Sequence, residues 1–248
     1  MSEELRKGFH GELDEIRATV LRMTAMVTEA IPRGTEALLN NDLRAAAQMI
    51  EDDDALDLLS INLEEQCYQV LALQQPMASD LRAIVSALRL NSEIERSGDL
   101  VVNIVKATRR MYGNEYHPKL RGLIVKMGTE AQRMFRLAGE AYADGDVGLA
   151  AALDDIDDRL DELNYENVQA IFEAHNKKEI DLQAAVQLAL VGRYYERIGD
   201  HAVNIGERVQ YMVTGWLPEH TGAVRATARK MQAPADPALN PVELVEGV

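Results

Sequence analysis

Hydrophobic residues recur along this chain with the spacing of amphipathic helices, and no segment shows the strict alternation of a half-buried strand. A clear stripe with i, i+3, i+4, i+7 spacing, the pattern of a buried helix face, is formed by Leu81, Ile84, Val85 and Leu88. The same stripe returns later at Leu182, Ala185, Val186 and Ala189. The abundance of Ala, Leu, Glu and Arg also favours helix. We therefore predict an all-α fold in which both stripes are buried.

The pattern divides into six helices, predicted over residues 3–39, 42–74, 78–112, 118–143, 146–175 and 178–214. Asp80 and Asp181 stand where a carboxylate can cap the N-terminus of a helix. Pro32, followed closely by Gly34, is expected to kink or break the first helix. Long helices joined by short turns are expected to pack antiparallel.

The six predicted helices form two copies of one unit. Glu95 and Asp99 recur as Glu196 and Asp200, 101 positions later, within a phrase that reads Glu-Arg-x-Gly-Asp-x-x-x-Asn-Ile in both places. An offset of 104 relates two further pairs of carboxylates on the second helix of each copy, with a three-residue deletion in the turn between. We predict two tandem similar three-helix bundles, repeat 1 over residues 1–113 and repeat 2 over residues 114–215.

Four pairs of carboxylates, each four positions apart, are the candidate chemistry of the chain. On a helix that spacing places both side chains on one face, one turn apart. If the second and third helices of each bundle lie side by side, four carboxylates converge in each repeat. Such an oxygen-rich cluster suits hard cations such as Fe, Mn, Mg or Ca. The candidate metal ligands are Asp53, Asp57, Glu95 and Asp99 in repeat 1, and Asp157, Asp161, Glu196 and Asp200 in repeat 2.

A single Glu-x-x-x-Asp on a helix is usually a solvated face, and it is the repetition that favours a site. Gly98 and Gly199 lie mid-helix inside the repeated phrase, where glycine costs about 1 kcal/mol against alanine. Either close helix packing or a ligand accounts for them. His201 follows Asp200, but its counterpart Leu100 is apolar, so we predict a core-edge or partner-facing residue rather than a metal ligand.

Composition and charge narrow the function. The 248 residues carry a formal net charge of −15, which repels nucleic acid and the anionic inner face of a membrane. Recruitment to a membrane is therefore expected only through protein partners. The single Cys67 excludes an intramolecular disulfide and fits a reducing compartment, and no apolar run is long enough for a membrane span, so we predict a cytoplasmic protein. Four of seven prolines follow Trp216, and we predict a poorly ordered tail over residues 216–248.

Three phrases resemble the PhoU family of phosphate-uptake regulators: ALQQPMASDLR at 72–82, EIERSGDLVVNI at 93–104 and YERIGDHAVNIGERV at 195–209. The resemblance covers roughly residues 5–215. It implies two similar three-helix bundles, and it implies metal ions, iron or zinc above all, at the eight carboxylates named above. Periodicity alone indicates only the clustering.

The resemblance also implies a regulatory role. Family members are linked to phosphate homeostasis, to the ATPase subunit of a phosphate ABC transporter and to a sensor histidine kinase, and they restrain phosphate-starvation signalling while phosphate is plentiful. For this chain it implies a negative regulator with no enzymatic activity. The repeated unit and long amphipathic helices favour a homodimer.

Two alternatives remain. A carboxylate-bridged di-metal enzyme of the ferritin type is another all-helical use of clustered acids, but that class relies on Glu-x-x-His pairs, and the sequence contains none. A helical interaction module without metal is the other. No glycine-rich phosphate loop and no catalytic Ser/His/Asp or Cys/His arrangement is present in the sequence.

Overall fold

The computed structural model describes residues 2–113 and 116–216, with side-chain surroundings given from residue 8 onward. Within those residues there are six helices and no strand, which confirms the predicted all-α class and the predicted helix order. The helices are α1 (Ser2–Leu39), α2 (Leu43–Gln74), α3 (Ser79–Arg110), α4 (Pro118–Asp144), α5 (Val147–Asn176) and α6 (Leu182–Thr214).

Aspartates begin three of the helices. Asp42 and Asp146 accept hydrogen bonds from backbone N–H groups of the first turns of α2 and α5. Asp181 accepts from Ala184 N at 2.6 Å, so α6 begins at residue 182 rather than at 178. The predicted cap at Asp80 is wrong: this residue lies inside the first turn of α3, and the N-cap is Ala78, which makes no side-chain cap. A carboxylate there still meets the positive end of the helix dipole.

The predicted break at Pro32 is wrong, because α1 continues through this residue as one helix. Proline removes one backbone donor and costs about 3 kcal/mol in a helix interior. Burial on both sides of the proline offsets that cost: Val27 and Ile31 before it and Leu38 after it are almost fully buried. The helix is held by its tertiary contacts rather than by its local propensity.

The two bundles pack into one molecule with a continuous core. Helices α1, α2 and α3 pack together, as do α4, α5 and α6, and the bundles join through α1 against α4 and α3 against α6. At one end of the second seam Arg82 Nε donates to Met212 O, and at the other Gln183 Nε2 donates to Arg110 O. Helices α3 and α6 are therefore antiparallel, and one buried cluster extends across both repeats.

The predicted burial of the two apolar stripes is only partly right. Ile84 and Ala185 are buried, whereas Leu81 and Val85 of α3 are exposed, and so is Val186 of α6. Leu182 is likewise exposed. Helices α3 and α6 each pack against three other helices, and the outer residues of each predicted stripe lie on the one side of the helix that no neighbour covers.

Two of the predicted boundaries fall outside the described residues. The division between repeats at 113 and 114 meets residues 114–115, and the predicted tail is described only at Trp216. Across residues 2–113 and 116–216, no helix combines the length and apolar character needed to cross a membrane.

Candidate metal centres

In repeat 1 the four predicted carboxylates lie on neighbouring faces of α2 and α3. The register of the helices is set by Asn91, whose Nδ2 donates to Ser60 O at 3.0 Å. Two turns farther along α3, Gly98 lets α2 approach so closely that an added Cβ would overlap Leu56 and would lie 3.4 Å from Asp53 Oδ1. Close helix packing therefore explains this glycine, and the packing brings a carboxylate to it.

The repeat 1 carboxylates form an inner and an outer pair. Asp53 and Glu95 are half-buried, while Asp57 and Asp99 are exposed. Burial first, and then the negative charges of Asp57, Asp99 and Glu95, together raise the pKa of Asp53 to about 6. Burial and the negative charge of Asp99 raise the pKa values of both Asp57 and Glu95, with a further increase from Asp54 in Asp57 and from Asp57 in Glu95. The four acids thus lie within electrostatic reach of one another.

Repeat 2 builds the same arrangement from α5 and α6. Asp157 and Glu196 are half-buried and Asp161 and Asp200 exposed, which reproduces the inner and outer pairs of repeat 1. A Cβ added to Gly199 would overlap Asp157 Oδ1. Asp157 therefore fits against the bare backbone of α6 at the position that corresponds to Asp53.

The electrostatics of repeat 2 also follow those of repeat 1. Burial first, and then the negative charges of Asp161, Asp200 and Glu196, together raise the pKa of Asp157 to about 7. Burial and the charge of Asp200 raise the pKa of Asp161. In Glu196 burial raises the pKa, and Arg193 opposes the effect without cancelling it.

Two residues that the sequence analysis did not identify distinguish the repeats. Arg193 forms an ion pair with Glu196, and Asn164 Nδ2 also donates to Glu196. Their counterparts in repeat 1 are Ser92 and Ser60, which bring neither charge nor amide to Glu95. The i, i+3 spacing of Arg193 and Glu196 is visible in the sequence, but the contact from α5 depends on the packing of two helices.

A separate polar contact joins the repeats beside the clusters. Glu93 of α3 accepts hydrogen bonds from His201 Nδ1 at 2.6 Å and from Asn204 Nδ2 at 2.9 Å. Burial acts to raise the pKa of Glu93, but these two hydrogen bonds lower it below its usual range. His201 is buried at the seam between the bundles, which confirms a core-edge residue. Asn204 bonds across the seam rather than extending the line of Glu196 and Asp200.

The donor atoms fit a hard cation, although the side chains are not converged on one point. Across residues 2–113 and 116–216, no group of three or more His, Cys, Asp or Glu side chains is positioned so that it could hold a metal ion. The outer carboxylates are exposed and free to turn inward. Asp157 Oδ1 and Asn164 Oδ1 are buried and accept no hydrogen bond from any described residue, so two oxygen acceptors are already in place in repeat 2. An all-oxygen, anionic set of this kind suits Fe, Mn, Mg or Ca in particular.

Cys67 lies apart from both clusters. Its side chain is fully buried in α2, and burial raises the pKa of the thiol to about 11. A thiol with so high a pKa is neither a nucleophile nor a metal ligand at neutral pH.

Comparisons with known proteins agree on one family. The family model described as the PhoU domain matches residues 20–108 and 124–209, one match within each repeat. The chain is 35% identical over 215 residues to the phosphate-specific transport system accessory protein PhoU homolog 1 of Mycobacterium tuberculosis, covering 86% of this chain and 96% of the relative. It is 30% identical over 211 residues to the PhoU homolog of Clostridium acetobutylicum, covering 85% and 96%.

Solved structures give the same result for the fold. The crystal structure of PhoU from Pseudomonas aeruginosa aligns with a TM-score of 0.79 at 29% identity and covers 84% of this chain and all of that one. The phosphate transport system regulatory protein PhoU from Streptococcus pneumoniae aligns with a TM-score of 0.77 at 27% identity, covering 84% and 98%. These neighbours confirm the predicted architecture of two tandem repeats.

Proposed function

The chain belongs to the PhoU family, and from that premise we propose that it is a regulatory accessory protein of phosphate-specific transport. The observation that carries this proposal is the relationship over both repeats to proteins named for that role. In the proposed role the protein restrains phosphate-starvation signalling when phosphate is abundant. It does so by binding, as a homodimer in the cytoplasm, to a sensor histidine kinase and to the ATPase subunit of the phosphate ABC transporter.

We propose further that each repeat binds metal through its four carboxylates. Two clusters built alike, with glycines that admit Asp53 and Asp157 against the neighbouring helix, support this part. Mutual repulsion of the acids supports it as well, because a cation would relieve the raised pKa values of both inner aspartates. Iron or zinc is the expected metal by family resemblance, with Mn, Mg or Ca as alternatives.

The regulatory proposal is tested by deleting the gene. We expect starvation-gene expression and phosphate uptake to rise while phosphate is abundant, and we expect the wild-type gene to restore repression. Repression that survives deletion contradicts the proposal, provided that any paralogue is deleted as well. The acidic net charge of −15 disfavours direct membrane binding, so the effect should depend on protein partners.

The metal proposal is tested by changing Glu95→Gln together with Asp99→Asn. The amides keep the volume of the carboxylates but remove two anionic ligands, so bound metal should fall by about half while the fold survives. Elemental mass spectrometry of untagged protein measures the stoichiometry. The matching variant Glu196→Gln with Asp200→Asn tests repeat 2, which is expected to bind independently.

Controls separate the metal proposal from the alternatives. Arg136→Gln with Glu140→Gln removes an exposed ion pair of α4, distant in sequence from both clusters, and should leave the metal content unchanged. Equal metal content in the cluster variants and in this control would leave an interaction module without metal as the better account. Re-expressing the cluster variants in the deletion strain then shows whether repression requires metal.

A further inference from the structure

Each repeat exposes large apolar side chains beside its acidic cluster. In α2, Ile61 is 55% exposed and Tyr68 is 54% exposed, and their counterparts in α5, Tyr165 and Phe172, are 68% and 62% exposed. The exposed stripe residues of α3 and α6 complete each set. We define the repeat 1 face as Ile61, Tyr68, Leu81 and Val85, and the repeat 2 face as Tyr165, Phe172, Leu182 and Val186.

The register of the helices makes each set one surface. Ile61 follows Asp57 by four positions and Tyr68 follows it by eleven, so all three share one side of α2. Because the Asn91–Ser60 hydrogen bond sets α2 antiparallel to α3, Tyr68 lies at the height of Val85, about 20 Å below the level of the acids. The apolar face therefore continues along the same side of α2 and α3 on which the carboxylates lie.

The two faces lie on the same side of the molecule. Helix α3 packs against α1, α2 and α6, which leaves a single exposed stripe, and α6 packs against α3, α4 and α5 in the equivalent way. An antiparallel pair of equivalent helices is related by a twofold axis perpendicular to the plane of the pair. Both clusters thus lie near the middle of this side, and the two apolar faces lie toward its opposite ends.

Four equivalent positions carry exposed apolar side chains in both repeats. Offsets of 104 and 101 relate the two faces residue by residue: Leu81 and Val85 recur as Leu182 and Val186, whereas Ile61 corresponds to Tyr165 and Tyr68 to Phe172. All eight side chains are apolar or aromatic, although none of them is part of the core. Large exposed apolar patches mark interaction sites in proteins.

The charges around the faces indicate what kind of partner fits. Glu64 and Glu65 adjoin the repeat 1 face on α2, and Glu162 and Glu166 adjoin the repeat 2 face on α5, with Arg159 paired to both of the latter. The whole chain carries a net charge of −15. We propose that the two faces are equivalent docking surfaces for amphipathic helices of a partner protein, with apolar side chains toward the face and lysines or arginines along their edges.

Charge disfavours a second copy of this chain as the occupant, because two chains that each carry a net charge of −15 repel each other. The C-terminal residues 217–248 are the other alternative. A Cβ added to Gly215 would lie 3.7 Å from the guanidinium of Arg82, next to the repeat 1 face, and the sequence beyond it contains Arg225, Arg229 and Lys230. One such segment could cover one face only. The presence of two equivalent faces therefore favours a partner that presents two helices.

The test uses the full chain and a fluorescent synthetic helix of about 18 residues, with leucines along one side and lysines along the other. A scrambled peptide of the same composition, which has no apolar side, is the peptide control. The variants are Tyr68→Ser with Val85→Ser for repeat 1, and Phe172→Ser with Val186→Ser for repeat 2. Val125→Ser removes an exposed apolar side chain of α4, away from both faces, and is the matched control.

We expect the wild type and the matched control to bind two amphipathic peptides per chain, with at least tenfold preference over the scrambled peptide. Each face variant should bind one, and the combined variant should lose the preference. Circular dichroism should show unchanged helix content, because all of these positions are exposed. The proposal would be overturned if all variants bound the peptide equally, or if both peptides bound equally. Binding would then be a general attraction between opposite charges.

Truncation after Trp216 tests whether the C-terminal residues 217–248 cover the repeat 1 face. If the truncated chain binds the peptide at the repeat 1 face at least tenfold more tightly than the full chain, the C-terminal segment covers that face and the proposal of equivalent partner sites is overturned. Equal affinity of both chains supports it. The inference goes beyond the proposed function: loss of repression and loss of peptide binding are separate measurements, and either can fail without the other.

Discussion

At the scale of single residues, two glycines help to determine where the predicted carboxylates lie. Gly199 lacks the Cβ that would overlap Asp157 Oδ1, and Gly98 lacks the Cβ that would overlap Leu56 and lie 3.4 Å from Asp53 Oδ1. The inner aspartates therefore lose solvent while their neighbours stay charged, and both have raised pKa values. The repeated sequence phrase predicts this juxtaposition because the acid and the glycine stand together in it.

These shifts predict how the stability of the metal-free protein depends on pH. The ordinary pKa of an aspartate is 3.8, and it is raised to about 6 in Asp53 and to about 7 in Asp157. Between pH 3.8 and these raised values the folded state therefore binds more protons than the unfolded state. The free energy of unfolding falls as the pH rises from 3.8 to about 7. Because both groups are partly exposed, solvent screening reduces the effect to on the order of 1 kcal/mol per site.

The measurement compares the wild type with Asp53→Asn, Asp157→Asn in the presence of a chelator. Thermal melting between about pH 5 and about pH 8 should show the wild type losing stability relative to the variant, since the amides do not titrate. Parallel melting curves at every pH would show that the two aspartates are not destabilised by burial and repulsion. Added metal should weaken the trend, because a bound cation favours the charged carboxylates.

What the sequence could not predict at this scale are contacts made across helices. The ion pair of Arg193 with Glu196 joins residues three apart and follows from helical spacing. By contrast, the hydrogen bonds from His201 and Asn204 to Glu93 join residues more than 100 positions apart in different repeats. Nothing local to Asn204 distinguishes it from Asn103, so its partner depends on how the two bundles meet.

At the scale of helices, the boundaries were largely predictable because aspartate caps mark them. The caps at Asp42, Asp146 and Asp181 satisfy free backbone N–H groups in the first turns. Exposure along a helix was less predictable. A stripe of apolar residues indicates a buried face, but the outer positions of α3 and α6 remain exposed since each helix already packs against three others.

Two glycines predict opposite effects of substitution by alanine, because Gly206 lies against a neighbouring helix and Gly122 is exposed. A Cβ on Gly206 would lie 2.6 Å from the backbone oxygen of Ala150, which cannot move without shifting α5. Gly206→Ala should therefore lower the free energy of unfolding by about 1–3 kcal/mol, the usual cost of overpacking. Gly122 is exposed in α4 with open space around it, and Gly122→Ala should raise stability by up to about 1 kcal/mol.

Urea unfolding of the two variants and the wild type measures both effects under one set of conditions. Stability gained or unchanged in Gly206→Ala would mean that α5 and α6 separate at little cost. Stability lost in Gly122→Ala would mean that the exposed side of α4 contacts something that the described residues do not show.

At the scale of the whole molecule, duplication is the organising feature. Two similar bundles meet along antiparallel seams, so that both carboxylate clusters and both apolar faces lie on one side. The offsets of 101 and 104 made the repeats and the clusters predictable from the sequence. The common side was not predictable, because it depends on the antiparallel packing of α3 against α6 seen in the contacts at Arg82 and Arg110.

The last prediction concerns the C-terminal residues 217–248, which lie outside the described part of the chain. The buried core of the described residues extends from Ile16 to Val209 and draws on all six helices. Truncation after Trp216 should therefore shift the melting temperature by only a few degrees, the scale of about 1 kcal/mol. Differential scanning calorimetry of both chains at equal ionic strength measures the shift. A loss of stability well above that scale would show that these residues pack against the body of the protein, and the truncated chain would then be expected to bind the basic helix more tightly at the repeat 1 face.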